Sequence, residues 1–166
     1  KRALLIFSDI DRLIKIGSNK LQIVFAGKAH PKDQKGKKII QEIVENANKV
    51  MGTVKIIFLE NYNMRLGHLI TSGVDVWLNT PLRPNEASGT SGMKAALNGI
   101  PNLSILDGWW VEGCIHGQNG WAIGSPDLCD DQKDAESLYQ LLENEVIPTF
   151  YNNKMKWESM MRESIH

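Results

Sequence analysis

In the stretch Glu86-Ala87-Ser88-Gly89-Thr90-Ser91-Gly92-Met93-Lys94, small and hydroxylated residues stand between a carboxylate and an amine. Glycine lets a backbone approach a ligand closely, and the unpaired amides of a helix N-terminus, with the helix dipole, favour an anion. Ser88 to Gly92 opens directly into the short helical pattern Met93 to Gly99, so the Thr90 and Ser91 hydroxyls can join those amides as donors. The chemistry is that of a phosphate cradle, although the spacing is neither GxGxxG nor the P-loop pattern. Serine and threonine also favour plain helix caps, and a cap followed by a surface turn has the same composition. Lys94, expected on the first helical turn beside the cradle, suits a point charge or, if desolvated, an amine that condenses with an aldehyde. Glu86 suits the orientation of a hydroxylated substrate. Taken singly, each is also what a solvated surface charge looks like.

The elements around the cradle alternate. Ile6, Ile10, Leu13 and Ile14 recur at helical spacing up to Gly17, and Leu21 to Ala26 is an apolar run closed by Gly27. Ile39, Ile40, Ile43, Val44, Ala47 and Val50 mark a second helix, and Val54 to Glu60 a second strand. Leu66, Leu69 and Ile70 carry a short helix to Gly73, and Val74 to Asn79 is a third strand leading into the cradle loop. Leu103 to Asp107 and Gly120 to Gly124 are further strands. Leu138, Leu141, Leu142 and Val146, then Trp157, Met160, Met161 and Ile165, mark two last helices. Strands that are apolar throughout and alternate with helices predict an α/β fold, a doubly wound, Rossmann-like parallel sheet of five or six strands covered on both faces. Ligands of such sheets gather beyond the carboxyl ends of the strands, where the third strand delivers Pro81 to Gly92. Residues 1–147 are expected to form this domain, and residues 148–166, beyond the break at Pro148, a helical segment packing toward another domain.

Composition narrows the function classes. The chain has 166 residues, 42% hydrophobic and 23% charged, with nineteen acidic and nineteen basic side chains, so no net field draws it to nucleic acid or anionic lipid. No apolar run approaches the roughly 20 residues needed to span a bilayer. Cys114 and Cys129 form no CxxC pair, and the four histidines lack metal-ligand spacing, so reduced cytoplasmic thiols and no metal are expected. Lysines 28, 32, 35, 37 and 38 read as a solvated basic face. Trp109 and Trp110 follow the fourth strand, placed either to stack on sugar rings or to fill a gap against another domain. The sequence opens at Lys1, with an amphipathic pattern starting at once, as expected of part of a longer chain.

The stretch EASGTSGMK, continued by AALNG, closely resembles the pyridoxal-phosphate segment of the α-glucan phosphorylases. The likeness runs on through KRALL at the start, similar to the family's YKRQLL-type helix, FAGKAHP (Phe25 to Pro31), FLENY (Phe58 to Tyr62), and LDG (Leu106 to Gly108) with Val111-Glu112. SGMKAALNG and WLNTP look like the shorter bacterial and archaeal branch. The resemblance implies the C-terminal domain of a two-domain (GT-B type) glycosyltransferase, and retaining phosphorolysis of α-1,4-glucans by inorganic phosphate to glucose 1-phosphate. It implies pyridoxal 5'-phosphate as cofactor, held covalently by Lys94, its phosphate relaying a proton to the attacking phosphate. By the same match Lys1, Thr90 and the Ser91 amide contact the cofactor phosphate, and Tyr62 lies near its ring. Glu86, with the Ser88 and Gly89 amides, holds the hydroxyls of the glucosyl unit.

Asn63 departs from the family, which has an arginine after the tyrosine, and Arg65 is the nearest substitute. Ser91-Gly92 stands in place of Gly-Asn, and the basic pair upstream of the YKR segment lies outside this chain. The remaining N-terminal domain is thus the implied partner, association of copies is left open, and the 166 residues alone are expected to fold without catalysing. Two other readings share the fold: a nucleotide-sugar glucan synthase, which has no need of Lys94, and a non-catalytic carbohydrate-binding module.

Overall fold

The computed structural model describes residues 1–126 and 129–166, and these divide into two compact units, residues 3–66 and residues 1–2 with 67–166.

In the unit of residues 3–66, Leu5–Phe7 form one 3-10 turn and α1 (Ile10–Gly17) follows. The helical spacing begins at Ile6, but the helix begins at Ile10. Asp9 is extended, and its carboxylate accepts the Arg12 amide at 2.9 Å, a better use of a short acidic side chain than a helix interior. Leu13 and Ile16 form the buried face of α1. β1 (Gln22–Ala26) and β2 (Lys55–Leu59) pair in parallel, Gln22 opposite Lys55 through Ala26 opposite Leu59. The crossover a parallel pair requires is α2 (Gln34–Lys49), capped by Asp33 on the Gly36 amide. Burial alternates along both strands, and Val24 and Ile57 stay 37% and 39% exposed. Among the described residues of this unit, these strands are therefore not covered on both faces, contrary to their unbroken apolar runs.

In the other unit, β3 (Trp77–Asn79), β4 (Asn102–Ile105) and β5 (Gly120–Ile123) form a second parallel ladder in that order. Trp77 lies opposite Asn102, and Asn102 opposite Gly120. The parallel α/β fold is as expected, with five strands among the described residues carried by two ladders of two and three instead of by one. Val74 to Val76, expected in the third strand, lie outside it; pairing starts where the Trp77 amide donates to the Pro101 carbonyl at 3.1 Å. β4 is buried along its whole length, and Trp121 and Ile123 of β5 are fully buried.

Helices α4 (Thr90–Leu97) and α5 (Trp110–Gly113) follow β3 and β4. α6 (Asp131–Leu141) is capped by Asp130, whose side chain accepts the Gln132 and Lys133 amides. A π-helical turn, Leu142–Val146, carries it into α7 (Ile147–Asn152), and α8 (Lys154–Ile165) ends the chain. α8 is fastened to this unit by buried Trp157 and Met160, by Trp157 against Trp121 at 6.0 Å between ring centroids, and by the Ser164 hydroxyl on the Asn119 carbonyl.

Candidate active site

Three short segments of the second unit meet at the carboxyl edge of β3 and β4, the edge expected from the strand order. The loop leaving β3 is held to the end of β4. The Glu86 amide donates to Asp107 Oδ2 at 3.0 Å, and the Trp109 amide donates to the Ser88 carbonyl at 2.9 Å. Asp107 is buried and spends its other oxygen on the Gly108 amide. The chain then turns at Gly89, whose φ of +82° lies in the left-handed region that disfavours any side chain, and α4 starts at once.

That start is Thr90, three residues earlier than the expected Met93, so Thr90, Ser91 and Gly92 are the first helical turn. The Gly92 and Met93 amides return to the Gly89 carbonyl, at 3.0 and 3.4 Å. The Thr90 and Ser91 amides precede any carbonyl the helix can offer, and no side chain caps this N-terminus. A serine or threonine cap, one of the two uses this composition allows, is therefore not what is built.

Glu86 is not a solvated surface charge: its side chain is 13% exposed, and Lys1 Nζ lies 3.2 Å from its Oε1. The same ammonium donates to Asn79 Oδ1 at 2.8 Å. The neighbouring Arg2 anchors Lys1. The Arg2 amide donates to the Thr80 carbonyl at 2.8 Å, and the Thr80 hydroxyl donates to the Arg2 carbonyl at 3.0 Å. The Arg2 guanidinium donates to Asp131, Asp134 and the Pro81 carbonyl at 2.6 to 2.9 Å. Burial pulls its pKa down, but hydrogen bonds and attraction from Asp131 and Asp134 outweigh that and hold it above the ordinary arginine value. Arg2 is thus a permanent cation fixed against the fully buried Asp134, one residue from Lys1.

Lys94 departs from expectation. With α4 beginning at Thr90 it falls on the second turn, four residues on and on the Thr90 face. Its side chain is exposed, so the described residues do not supply the desolvation a reactive amine needs. Tyr62 belongs to the other unit, in the segment between β2 and α3 (Met64–Gly73), and is 37% exposed. Asn63, beside it, has a local task that an arginine cannot do: its Oδ1 accepts the Leu66 amide at 2.9 Å at the start of α3. Arg65 is exposed on the same helix.

Three polar residues of the site carry no local signature. Asn79 receives Lys1, Asp107 holds Glu86, and Asn102, 1% exposed, donates to the Gly92 carbonyl at 3.2 Å. The available signal was polarity out of place: Asn79 ends and Asn102 opens a strand of otherwise apolar character. Of the two tryptophans, Trp110 is a core residue whose indole donates to the Trp121 carbonyl at 3.3 Å. Burial pushes the Cys114 thiol up to about 11. Among the described residues no group of three or more His, Cys, Asp or Glu could hold a metal, and no helix is long and apolar enough to cross a membrane.

Along its length the chain is similar to known proteins. A family model described as carbohydrate phosphorylase matches residues 3–120. The chain is 53% identical over 173 aligned residues to the maltodextrin phosphorylase of Thermococcus litoralis, covering 99% of this chain and 21% of that protein. It is 52% identical over 175 residues to the glycogen phosphorylase of Aquifex aeolicus, covering 99% and 25%, and 44% identical over 178 residues to that of Mycobacterium tuberculosis, covering 99% and 20%. It therefore spans a fifth to a quarter of the length of these relatives. An archaeal and a bacterial protein at such identity accord with the short-branch motifs. From the cradle, its carboxylate and this match along the chain, it follows that the protein belongs to the carbohydrate phosphorylase family.

Proposed function

We propose that this chain supplies the cofactor- and phosphate-handling part of an α-glucan phosphorylase, an enzyme that moves a glucosyl unit from an α-1,4-glucan to inorganic phosphate and releases glucose 1-phosphate with retained configuration. The observation that carries this reading is the uncapped α4 N-terminus behind Gly89, standing beside a sheltered Glu86 paired with Lys1. Two adjacent orphan amides and a helix dipole favour an anion. A mostly sheltered carboxylate with a fixed partner is suited to accept hydrogen bonds from sugar hydroxyls.

The residues fit pyridoxal phosphate. The cradle suits its phosphate, and Lys94, one turn along the same helix face, is the amine that would hold its aldehyde carbon. When bound, the group supplies a phosphate able to pass a proton to the attacking phosphate. Thr90 and Ser91 bind that anion through amides and hydroxyls, and Lys1 adds a positive charge. Glu86, with the Ser88 and Gly89 amides, orients the glucosyl hydroxyls, and Asp107 holds the Glu86 backbone in place. The rest of the polypeptide supplies the facing wall, which desolvates Lys94 and excludes water. Phe150, Tyr151 and Met155, exposed near the chain end, are offered to that partner domain. The 166 residues alone do not turn over.

The test is a full-length phosphorylase in which these residues form the matching segment. It should absorb between roughly 330 and 420 nm, incorporate borohydride label at Lys94, and release glucose 1-phosphate from maltodextrin and phosphate. Activity dependent on a nucleotide sugar, or glucan binding with no cofactor absorbance, would overturn the assignment. So would full turnover by the isolated segment overturn the need for a facing wall.

A further inference from the structure

We infer that the Trp109 indole is a positioning residue that sets the aim of the α4 N-terminus, and so the affinity of the site for a phosphate-bearing ligand; this rests on the phosphorylase reading above. The ring lies against three places where the backbone carries no side chain. A methyl at Gly89 would stand 3.1 Å from Trp109 Cδ1, and one at Gly92 would stand 3.1 Å from Nε1. A methyl at Gly113 would stand 2.7 and 2.8 Å from Cζ3 and Cε3, and all three of its nearest neighbours would be Trp109 ring atoms. The pyrrole edge thus supports the left-handed turn and the first helical turn, while the opposite edge is braced by the end of α5.

The main chain of the same residue grips the loop just before the helix, its amide bonded to the Ser88 carbonyl. Trp109 therefore holds both sides of the hinge at Gly89. It cannot retreat, because Trp110 packs behind it at 5.0 Å between ring centroids and is itself buried. A rigid two-torsion side chain locked in this way is what holds the turn that carries the two orphan amides. With its edges engaged on backbone, the indole acts through the cradle and not as a platform for sugar.

The experiment uses the full-length phosphorylase carrying this segment, reconstituted with pyridoxal phosphate and followed by absorbance, with KM for inorganic phosphate and kcat per loaded site measured alongside. Trp109→Ala should raise the cofactor dissociation constant and the phosphate KM by about tenfold, the scale of one lost charge-assisted hydrogen bond, while kcat per loaded site stays within about twofold. Gly113→Ala, whose methyl intrudes only on the ring, should weaken the cofactor in the parent background and have no further effect in Trp109→Ala. A purely structural role would lower the thermal midpoint of both variants and leave the dissociation constant at the parental value; that result overturns the inference. Equal losses from Gly113→Ala in both backgrounds overturn it as well. If Trp109→Ala fails to fold by circular dichroism, Gly113→Ala alone decides, and parental affinity there rejects the role. A parent that neither binds the cofactor nor releases glucose 1-phosphate is the separate failure of the functional reading, and Trp109 falls with it.

Discussion

In the unit of residues 3–66, β1 and β2 alternate between sheltered and exposed positions, and Val24 and Ile57 face outward. In the other unit β4 is sealed at every position and β5 nearly so. Both pairs are written as similar apolar runs, LQIVFA and LSILD, so the runs alone do not separate them. What separates them is what they carry. Asn102, Ser104 and Asp107 sit on or just after the sealed strand and fix Gly92, Asn79 and Glu86. A side chain is held to fractions of an ångström only where its own support cannot move, and a fully packed strand provides that support.

The comparison is broken most directly at Lys94. In the full-length enzyme Lys94→Ala should abolish covalent cofactor retention and lower phosphorolysis by about a thousandfold or more, because proximity of the reacting groups is lost as a whole. Normal activity would mean the sealed unit does not carry the chemistry. Burial itself is compared by chemical denaturation of the 166-residue chain. Leu103→Ala, in the sealed strand, should cost about 2–5 kcal/mol, whereas Val24→Ala, on the open strand, should cost less than about 1 kcal/mol. Equal losses would erase the distinction. Glu86→Gln keeps shape and removes charge, so cofactor absorbance should persist while transition-state binding falls by about 1.5–3 kcal/mol, read from kcat/KM. Loss of absorbance with normal turnover per loaded site would reverse the division of labour between Glu86 and Lys94. The smallest effect lies in the other unit: Asn63→Ala should lower stability by about 0.5–2 kcal/mol through the lost cap on α3 and leave cofactor loading unchanged.

The existence and order of the strands were legible, since apolar runs bounded by glycine leave few alternatives. Element starts were not. α4 begins at Thr90 because a left-handed glycine can open a helix without a capping side chain, and a search for serine or threonine caps passes over it. α1 begins late because Asp9 takes the cap, while the apolar spacing continues past it to Ile6 in the preceding 3-10 turn. The cradle and its two charges could be read from composition, and Lys1 entered only through family likeness. Asp107 and Asn102 stayed silent because their partners are 21 and 10 positions away, and only the fold brings them together. The exposure of Lys94 was equally hidden, because a helix-face position does not reveal what covers it.

The clip at Arg2 has a consequence for the order of assembly. Arg2 pairs with Thr80, 78 positions on, and with Asp134, 132 positions on. Residues 1–2 thus belong to a unit whose remaining parts are made only after residues 3–66 have left the ribosome. A ring this long is not prohibitive to close, since each doubling of its length adds only about 0.6 kcal/mol of lost entropy, but it must wait for Asp134 to exist. Residues 1–2 therefore reach their native place later than the residues that directly follow them, and until they do, Glu86 has no Lys1 beside it. A nascent chain would hold the helix opening of the cradle before it held the cradle's own counter-charge.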